Sequence, residues 1–333
     1  MMGTGKQTNS GKRERMEAML NRLADAVKRK KQADRSQNFG LFLMALPMMI
    51  VVTIFSYIPM AGLIVAFKNY SYRDGIAKSP FCDPLWKNFE FLFKTPDTWR
   101  IIRNTLGYNL IFIVLTLVIS VSIAILLNEV RSRKALKVYQ TTMFFPYFLS
   151  WVVVSYIVYA FLNPRLGYLN AIASKMGGET LDWYNTPEAW VFIIVFLQIW
   201  KTVGMNVLMY YASLMSIDSS FYEAAAIEGA TRWQMIRRIT LPMLYPMMII
   251  LTILAIGKIM NSDFGLFYQV PMDSKTLYAT TDVLETYVYR ALIQSGNIGM
   301  SSAAGFIKSV VGFLLVLGTN RLVKKINPDY VLY

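Results

Sequence analysis

Six apolar runs, each long enough to cross a lipid bilayer, dominate the chain: about Leu41 to Phe67, Leu106 to Leu127, Met143 to Leu162, Trp190 to Leu214, Leu244 to Asn261 and Ala303 to Leu322. About 20 residues at ~1.5 Å rise cover the ~30 Å hydrocarbon core. Stretches carrying Gly, Pro and Asp separate the runs, as loops should. Hydrocarbon offers the backbone no hydrogen-bonding partner, so helices are the expected solution. Composition agrees: 55% of residues are hydrophobic and 16% charged, against about 25% charged in a soluble domain. A soluble enzyme, a disordered chain and a disulfide scaffold are excluded. The expectation is an all-α integral membrane protein with six transmembrane helices over residues 40–325. A basic tail over 1–39 precedes them and a short tail over 326–333 follows.

Charge sets the orientation. The tail 1–39 and the segments 128–142, 215–243 and 321–333 together hold twenty Lys and Arg, against ten in 68–102, 163–189 and 262–302. Cations favour the cytoplasmic side, so both tails and the 215–243 loop are expected there. The first run is too long and too far from the start for a secretory signal. Lys12 to Arg35 could form a charged helix against anionic lipid, with a solvated, orienting tail the simpler reading. Gly3-Thr4-Gly5-Lys6 looks like part of a phosphate loop but lacks the spacing, the following Ser or Thr and the preceding strand. With no histidine and only Cys82, neither a His-ligated metal nor a disulfide is available. No catalytic residue, metal site or bound cofactor is expected in this chain, nor does its net charge of +14 imply nucleic acid, because the cations flank the apolar runs.

The loop over 216–246 carries the most specific pattern. From Ser219 to Pro246 it reads SSFYEAAAIEGATRWQMIRRITLPMLYP, two short helices broken at a glycine. Ser220 with Glu223, and Thr231 with Gln234, have capping-box spacing. Gly229 stands where the first helix needs a left-handed terminator. Pro242 is expected to stop the second helix or bend it into the next span. Ala224, Ala225 and Ala226 leave a nearly bare face for another surface to approach.

These residues resemble a known family. Glu223-Ala224-Ala225, then Gly229, Ile239 and Leu241-Pro242, match without a gap the EAA signature of binding-protein-dependent ABC importer permeases. Further stretches, including Phe67 to Tyr70, Leu126 to Val130, Ser150 to Val153, Asp282 to Arg290 and Lys308 to Gly312, are similar to the LplB-like carbohydrate branch. The resemblance implies the six-span type I importer (MetI-like) fold and a bacterial cytoplasmic membrane location. It implies that Ser220, Glu223, Ala224, Ala225, Gly229, Ile239, Leu241 and Pro242 dock a separate cytoplasmic ATPase, which holds ATP and Mg. Implied partners are a second permease, two ATPase copies, an extracytoplasmic substrate-binding lipoprotein and membrane lipid. The implied cargo is an oligosaccharide or polysaccharide fragment, moved by alternating access.

Polar residues inside the runs are few. In the fourth, Gln198, Thr202 and Asn206 follow one helical face with Lys201 on its flank. Lys201 lies eleven residues after Trp190, roughly 16 Å along a helix, so an unpaired ammonium there would be costly. It is expected to face a wet cavity or a partner subunit, where a uronate would be tolerated. With Asn261 and Trp151, these residues form the candidate substrate path. Tyr147, Trp151, Ser155 and Tyr159 recur every four residues and predict one stripe along the third span. Lys258 and Lys308 are expected to reach the outer headgroups. Trp86, Trp99, Trp183, Tyr268 and Tyr278 give the outer loops more aromatic surface than connectors need. A non-carbohydrate importer remains open within the family. A secondary carrier would ordinarily keep a carboxylate in its spans, and none lies in these six. A scaffold could use the same loop without moving solute.

Overall fold

The computed structural model describes residues 39–326; the candidate tail helix, the phosphate-loop-like fragment and residues 327–333 lie outside the described residues. The chain divides into two compact units, residues 1–63 and 64–333. The described part of the first is helical throughout, within the run Phe39–Phe67 (α1), and none of the most apolar stretch of α1 is buried. A widened turn over Thr53–Tyr57 precedes Pro59, with the Ile58 N–H reaching back to the Thr53 carbonyl. That extra residue per turn helps the helix absorb a proline that lacks an N–H and crowds the preceding turn.

The second unit is built on α2 (Thr98–Asn128) and α5 (Pro187–Met215), its most extensively packed pair. Between them stand α3 (Arg133–Phe144) and α4 (Trp151–Leu162); after them come α6 (Ser219–Ile227), α7 (Arg232–Gly257), α8 (Leu284–Ser295) and α9 (Ile298–Ile326). Among the described residues there is no named strand, only an antiparallel bridge between Lys68 and Phe81. On α5, buried Trp190, Ile194, Leu197, Gly204, Val207, Tyr210 and Leu214 recur at three- and four-residue spacing, which puts one stripe against its neighbours. One apolar cluster gathers Tyr108, Phe112, Val154, Trp190, Ile194 and Phe267; a second, nearer the 216–246 loop, gathers Val121, Leu127, Val207, Tyr210 and Leu244. Outward apolar side chains such as Phe192 and Phe196 remain exposed, as lipid or another subunit requires.

Five helices are long and apolar enough to span a membrane, and six crossings result if one bent pair counts as a span. That pair is the third apolar run. Instead of continuing straight, α3 and a tight turn over Phe145–Phe148 meet α4 at 97°. Pro146 removes a donor at the bend, and the Ser150 hydroxyl opens α4 by accepting from the Val153 N–H at 3.3 Å. The expected aromatic stripe is therefore broken: Tyr147 stacks on Phe144 before the elbow, while Trp151 begins the helix after it.

The elbow also decides the environment of Lys201. Its ammonium donates to the carbonyls of Pro146, Tyr147 (2.9 Å) and Leu149, and lies 5.3 Å from the Trp151 ring. Where a wet cavity or a partner subunit was expected, the ammonium has internal acceptors, backbone carbonyls at the bend, of which that of Pro146 also accepts from the Leu149 N–H at 3.1 Å. Gly204 lets α5 approach closely, since a Cβ there would stand 2.1 Å from the Met143 carbonyl oxygen. Lys308, expected at headgroups, instead pairs with Glu285. Where α7 crosses α9, a Cβ on Gly312 would stand 2.5 Å from the Gly257 carbonyl oxygen, so small residues set that approach.

The end remote from the 216–246 loop is locked by charge. Asp282, 2% exposed, binds Arg290 and Arg100 (3.1 Å), and Arg290 also reaches Asp273 at 3.2 Å. Burial is the largest effect and opposes the Arg290 charge, but Asp282, Tyr278 and Asp273 together outweigh it and hold the guanidinium more firmly protonated. Tyr278 lies beneath that guanidinium, pushed up to about 12 by burial and by its hydrogen bond to Asp273. Tyr268 stacks on Phe264 and Trp183 packs on the core, whereas Trp86 and Trp99 stand exposed.

Candidate functional site

Two features stand out, a helical knob at one end and a polar cavity along the spans. The knob begins at Asp218, whose carboxylate accepts from the Ser220 N–H at 2.9 Å. The Ser220 N–H and hydroxyl hold that carboxyl below the usual carboxylate range. The expected Ser220–Glu223 box is not formed. Asp218 is an equally good cap two residues earlier, so α6 starts at Ser219 and Glu223 lies well inside it, exposed. At the other end Gly229 adopts φ +78°. The Ala230 N–H bonds the Ala225 carbonyl at 2.9 Å and the Gly229 N–H the Ala226 carbonyl at 3.1 Å. This is the paired-bond termination for which a left-handed glycine is suited.

The chain then restarts at Thr231, where the capping box is complete: the Thr231 N–H donates to Gln234 Oε1 (2.7 Å) and the Gln234 N–H to Thr231 Oγ1 (3.4 Å). Pro242 neither stops nor ends α7. A widened turn over Ile236–Thr240 precedes it, with the Leu241 N–H bonding the Ile236 carbonyl, and the helix continues to Gly257. Ile239 and Leu241 are half-buried along this stretch. Tyr222 Oη and Thr240 Oγ1 lie 3.0 Å apart and Arg232 pairs with Glu129 at 3.5 Å, tying the knob to α7 and to the end of α2.

Among charged and polar side chains, the knob also presents large apolar ones outward. Ile227 is 88% and Trp233 68% exposed, with Phe221 beside them. Ala224 and Ala226 are exposed, while Ala225 faces a recess of about 370 Å³ that Gly229, Gln234, Arg238 and Ile239 also border. Ile227 and Trp233 were not singled out by sequence, although each stands one turn from a capping residue.

The cavity, about 420 Å³, lies between α2, α5 and α7. Gln198, Thr202, Asn206 and Asn261 border it together, and so do Asn109, Thr116, Thr252 and Lys258. Trp151 and Lys201 are not among the residues that line it. Trp151 donates from Nε1 to Asp263 at 2.7 Å and packs on Gly265. Thr202 and Asn206 bond back to the Gln198 and Thr202 carbonyls at 2.7 and 3.0 Å, which leaves the face polar yet internally satisfied. Gln198 Oε1 is the exception, buried without a protein donor. Asn109, which bonds the Thr105 carbonyl at 2.8 Å and Ser262 at 3.3 Å, could have been found by asking which polar residues interrupt the second apolar run. Among the described residues no three His, Cys, Asp or Glu side chains converge as a metal would need.

Residues 116–328 match the family model for the binding-protein-dependent transport system inner membrane component. Protein LplB of Bacillus subtilis strain 168 is 33% identical over 87% of this chain and 90% of its own length. The polygalacturonan/rhamnogalacturonan transport system permease protein YteP of the same strain is also 33% identical, over 87% of this chain and 89% of its own. Among solved structures, a chain of a bacterial alginate ABC transporter in complex with an alginate pentasaccharide-bound periplasmic protein is 34% identical, with a TM-score of 0.77 over 88% of this chain and 96% of that one. A family model covering most of the chain, relatives matched nearly end to end and a shared helical fold leave one conclusion: the chain belongs to the binding-protein-dependent transport system inner membrane component family, whose members are multi-pass membrane permeases.

Proposed function

We propose that the chain is the permease subunit of an ATP-driven importer, that its cargo is an oligosaccharide or polysaccharide fragment, and that the 216–246 knob transmits the stroke of a separate ATPase. The observation that carries the coupling reading is the knob's geometry. The short helix α6 and the capped start of α7 hold Ile227 and Trp233 out where water alone would disfavour them. A capped peg that exposes such apolar side chains fits a groove on a partner. Ser220, Glu223, Ala224, Ala225, Gly229, Ile239, Leu241 and Pro242 build and flank it; of these, Ser220, Glu223, Ala224 and Gly229 are exposed and the others are half-buried. Two such pegs, one from this chain and one from a second permease, would engage two ATPase copies, each holding ATP and Mg.

The cavity supplies the path. Its wall of amides and hydroxyls suits a solute rich in O–H groups. The carbohydrate reading is supported by the names of the relatives, which include polygalacturonan/rhamnogalacturonan and alginate transport. An extracytoplasmic binding protein would deliver the cargo at the end carrying the Asp282 lock, placing both tails in the cytoplasm. The test is ATP hydrolysis by the complete transporter in proteoliposomes, with the binding protein empty or loaded. Loaded binding protein should stimulate hydrolysis, and Trp233→Asp together with Ile227→Asp should abolish that stimulation. Undiminished stimulation in the doubly substituted protein would reject the peg as the coupling element.

A further inference from the structure

Four cations lie in or at the edges of the apolar runs: Arg103, Lys201, Lys258 and Lys308. Three are engaged inside the protein. Arg103 donates to Asn104 and to the Ala279 carbonyl, Lys201 holds the elbow carbonyls, and Lys308 pairs with Glu285. Lys258 differs. It is the C-cap residue that follows α7, its side chain is exposed, and no hydrogen bond or ion pair engages its ammonium among the described residues. The nearest carboxylate in sequence, Asp263, is occupied by the Trp151 indole N–H and by the Gly265 and Leu266 N–H groups.

Its position is as informative as its freedom. Lys258 and Asn261 border the polar cavity and also a second cavity of about 480 Å³ between α7 and α9. No Asp or Glu lines either space. A neutral polar path that ends at one uncompensated ammonium, at the end remote from the knob, has a definite electrostatic preference. It attracts a passing anion, and the low polarity around the neighbouring apolar side chains strengthens that attraction. A single ammonium is a point charge on a flexible stem, without the planar fork that grips a carboxylate or a phosphate in two bonds. Such a charge attracts a carboxylate in passing without clamping it, as a cargo that must be released requires.

We infer that Lys258 is a specificity residue that selects saccharides carrying carboxylates, uronic acid oligomers, as they enter the path. This rests on the proposed importer reading and names the cargo class within it. The test uses uptake by cells expressing the complete transporter, with two probes: a trigalacturonate and the same trisaccharide with its carboxyl groups reduced to hydroxymethyl. The wild type should prefer the charged probe. Lys258→Met should lower the charged-to-neutral uptake ratio at least tenfold, and Lys258→Arg should keep most of it, with membrane abundance measured by immunoblot. An unchanged ratio in Lys258→Met, or a wild type that takes up only the neutral probe, overturns the inference; in that case the lysine serves only to reach headgroup phosphates. Gln198→Leu with Asn206→Leu separates the two layers. If these abolish uptake of both probes while Lys258→Met leaves the ratio alone, the path stands and the charge selection falls. If they leave uptake intact, the path itself is misplaced and the inference falls with it.

Discussion

Replacing Gly229 by alanine isolates a single physical effect in the knob. A Cβ at this position would meet nothing within 4 Å, so no steric clash is introduced. The φ of +78° remains, and an L residue held in the left-handed region costs about 1–2 kcal/mol. That cost falls on a weak element. Helix α6 has nine residues and buries none of them, and isolated helices this short are marginal in water. A loss of about 1–2 kcal/mol raises the frayed population roughly 5–30-fold. Hydrogen exchange of the amides over 219–231, in the intact permease without its ATPase, should accelerate by that factor in Gly229→Ala. Asn tolerates the left-handed region better, so Gly229→Asn should accelerate less, and a β-branched valine more. Gly177 supplies the control. Its φ is +75°, its Cβ position is equally open, and its turn is closed by the same pair of bonds, from Gly177 N–H to Ser174 and from Gly178 N–H to Ala173. Gly177→Ala should strain its own turn by a similar amount yet leave ATPase co-purification untouched, whereas Gly229→Ala should reduce it. Wild-type exchange rates in Gly229→Ala, or a ranking in which valine is no worse than asparagine, would refute the reasoning.

Gly204→Ala introduces the opposite kind of fault, a Cβ driven onto the Met143 and Phe144 backbone; overpacking of this sort costs about 1–3 kcal/mol, and a lower melting temperature in detergent should record it. Lys201→Met takes the ammonium donor from the Tyr147 and Leu149 carbonyls, at roughly 1–3 kcal/mol for each stranded group, while the Pro146 carbonyl keeps the Leu149 N–H. Thermal stability should fall while the KM for import stays at the wild-type value, since Lys201 does not border the cavity. Arg290→Met strips buried Asp282 of one of its two arginines and should cost about 3 kcal/mol, at the low end for a broken buried pair because Arg100 remains. Limited proteolysis of the 262–302 segment should become faster in that variant.

Local chemistry could be read directly from the residues; long-range pairing could not. The apolar runs announced the long helices because a 20-residue apolar stretch has few other stable fates. Gly229 and the Thr231–Gln234 box were readable for a similar reason, since both are decided within five residues. The Ser220 cap failed because Asp218 competes for the same role two residues away, and spacing alone does not rank two good caps. Pro146 and Pro242 show the limit of proline as a signal. One lies at a 97° elbow, and the other is absorbed by a widened turn, a distinction made by tertiary packing rather than by the proline. The partners of Lys201 and Lys308 lie 52 and 23 residues away, at Leu149 and Glu285. No sequence period reports such contacts. The cavity suffers the same fate, for its wall is shared by three helices, and a search along one helix recovers only the Gln198, Thr202 and Asn206 edge.

The elbow between α3 and α4 has a mechanical consequence. In hydrocarbon, swinging a peptide group away from its donor is steeply uphill, which makes an unbroken helix behave as a rod. At this joint three carbonyls share one ammonium on a four-carbon tether whose hydrogens rotate freely. The tether can follow the carbonyls as they tilt, serving as a resident substitute for water. A break that would otherwise be rigid or leaky thereby becomes a lubricated joint.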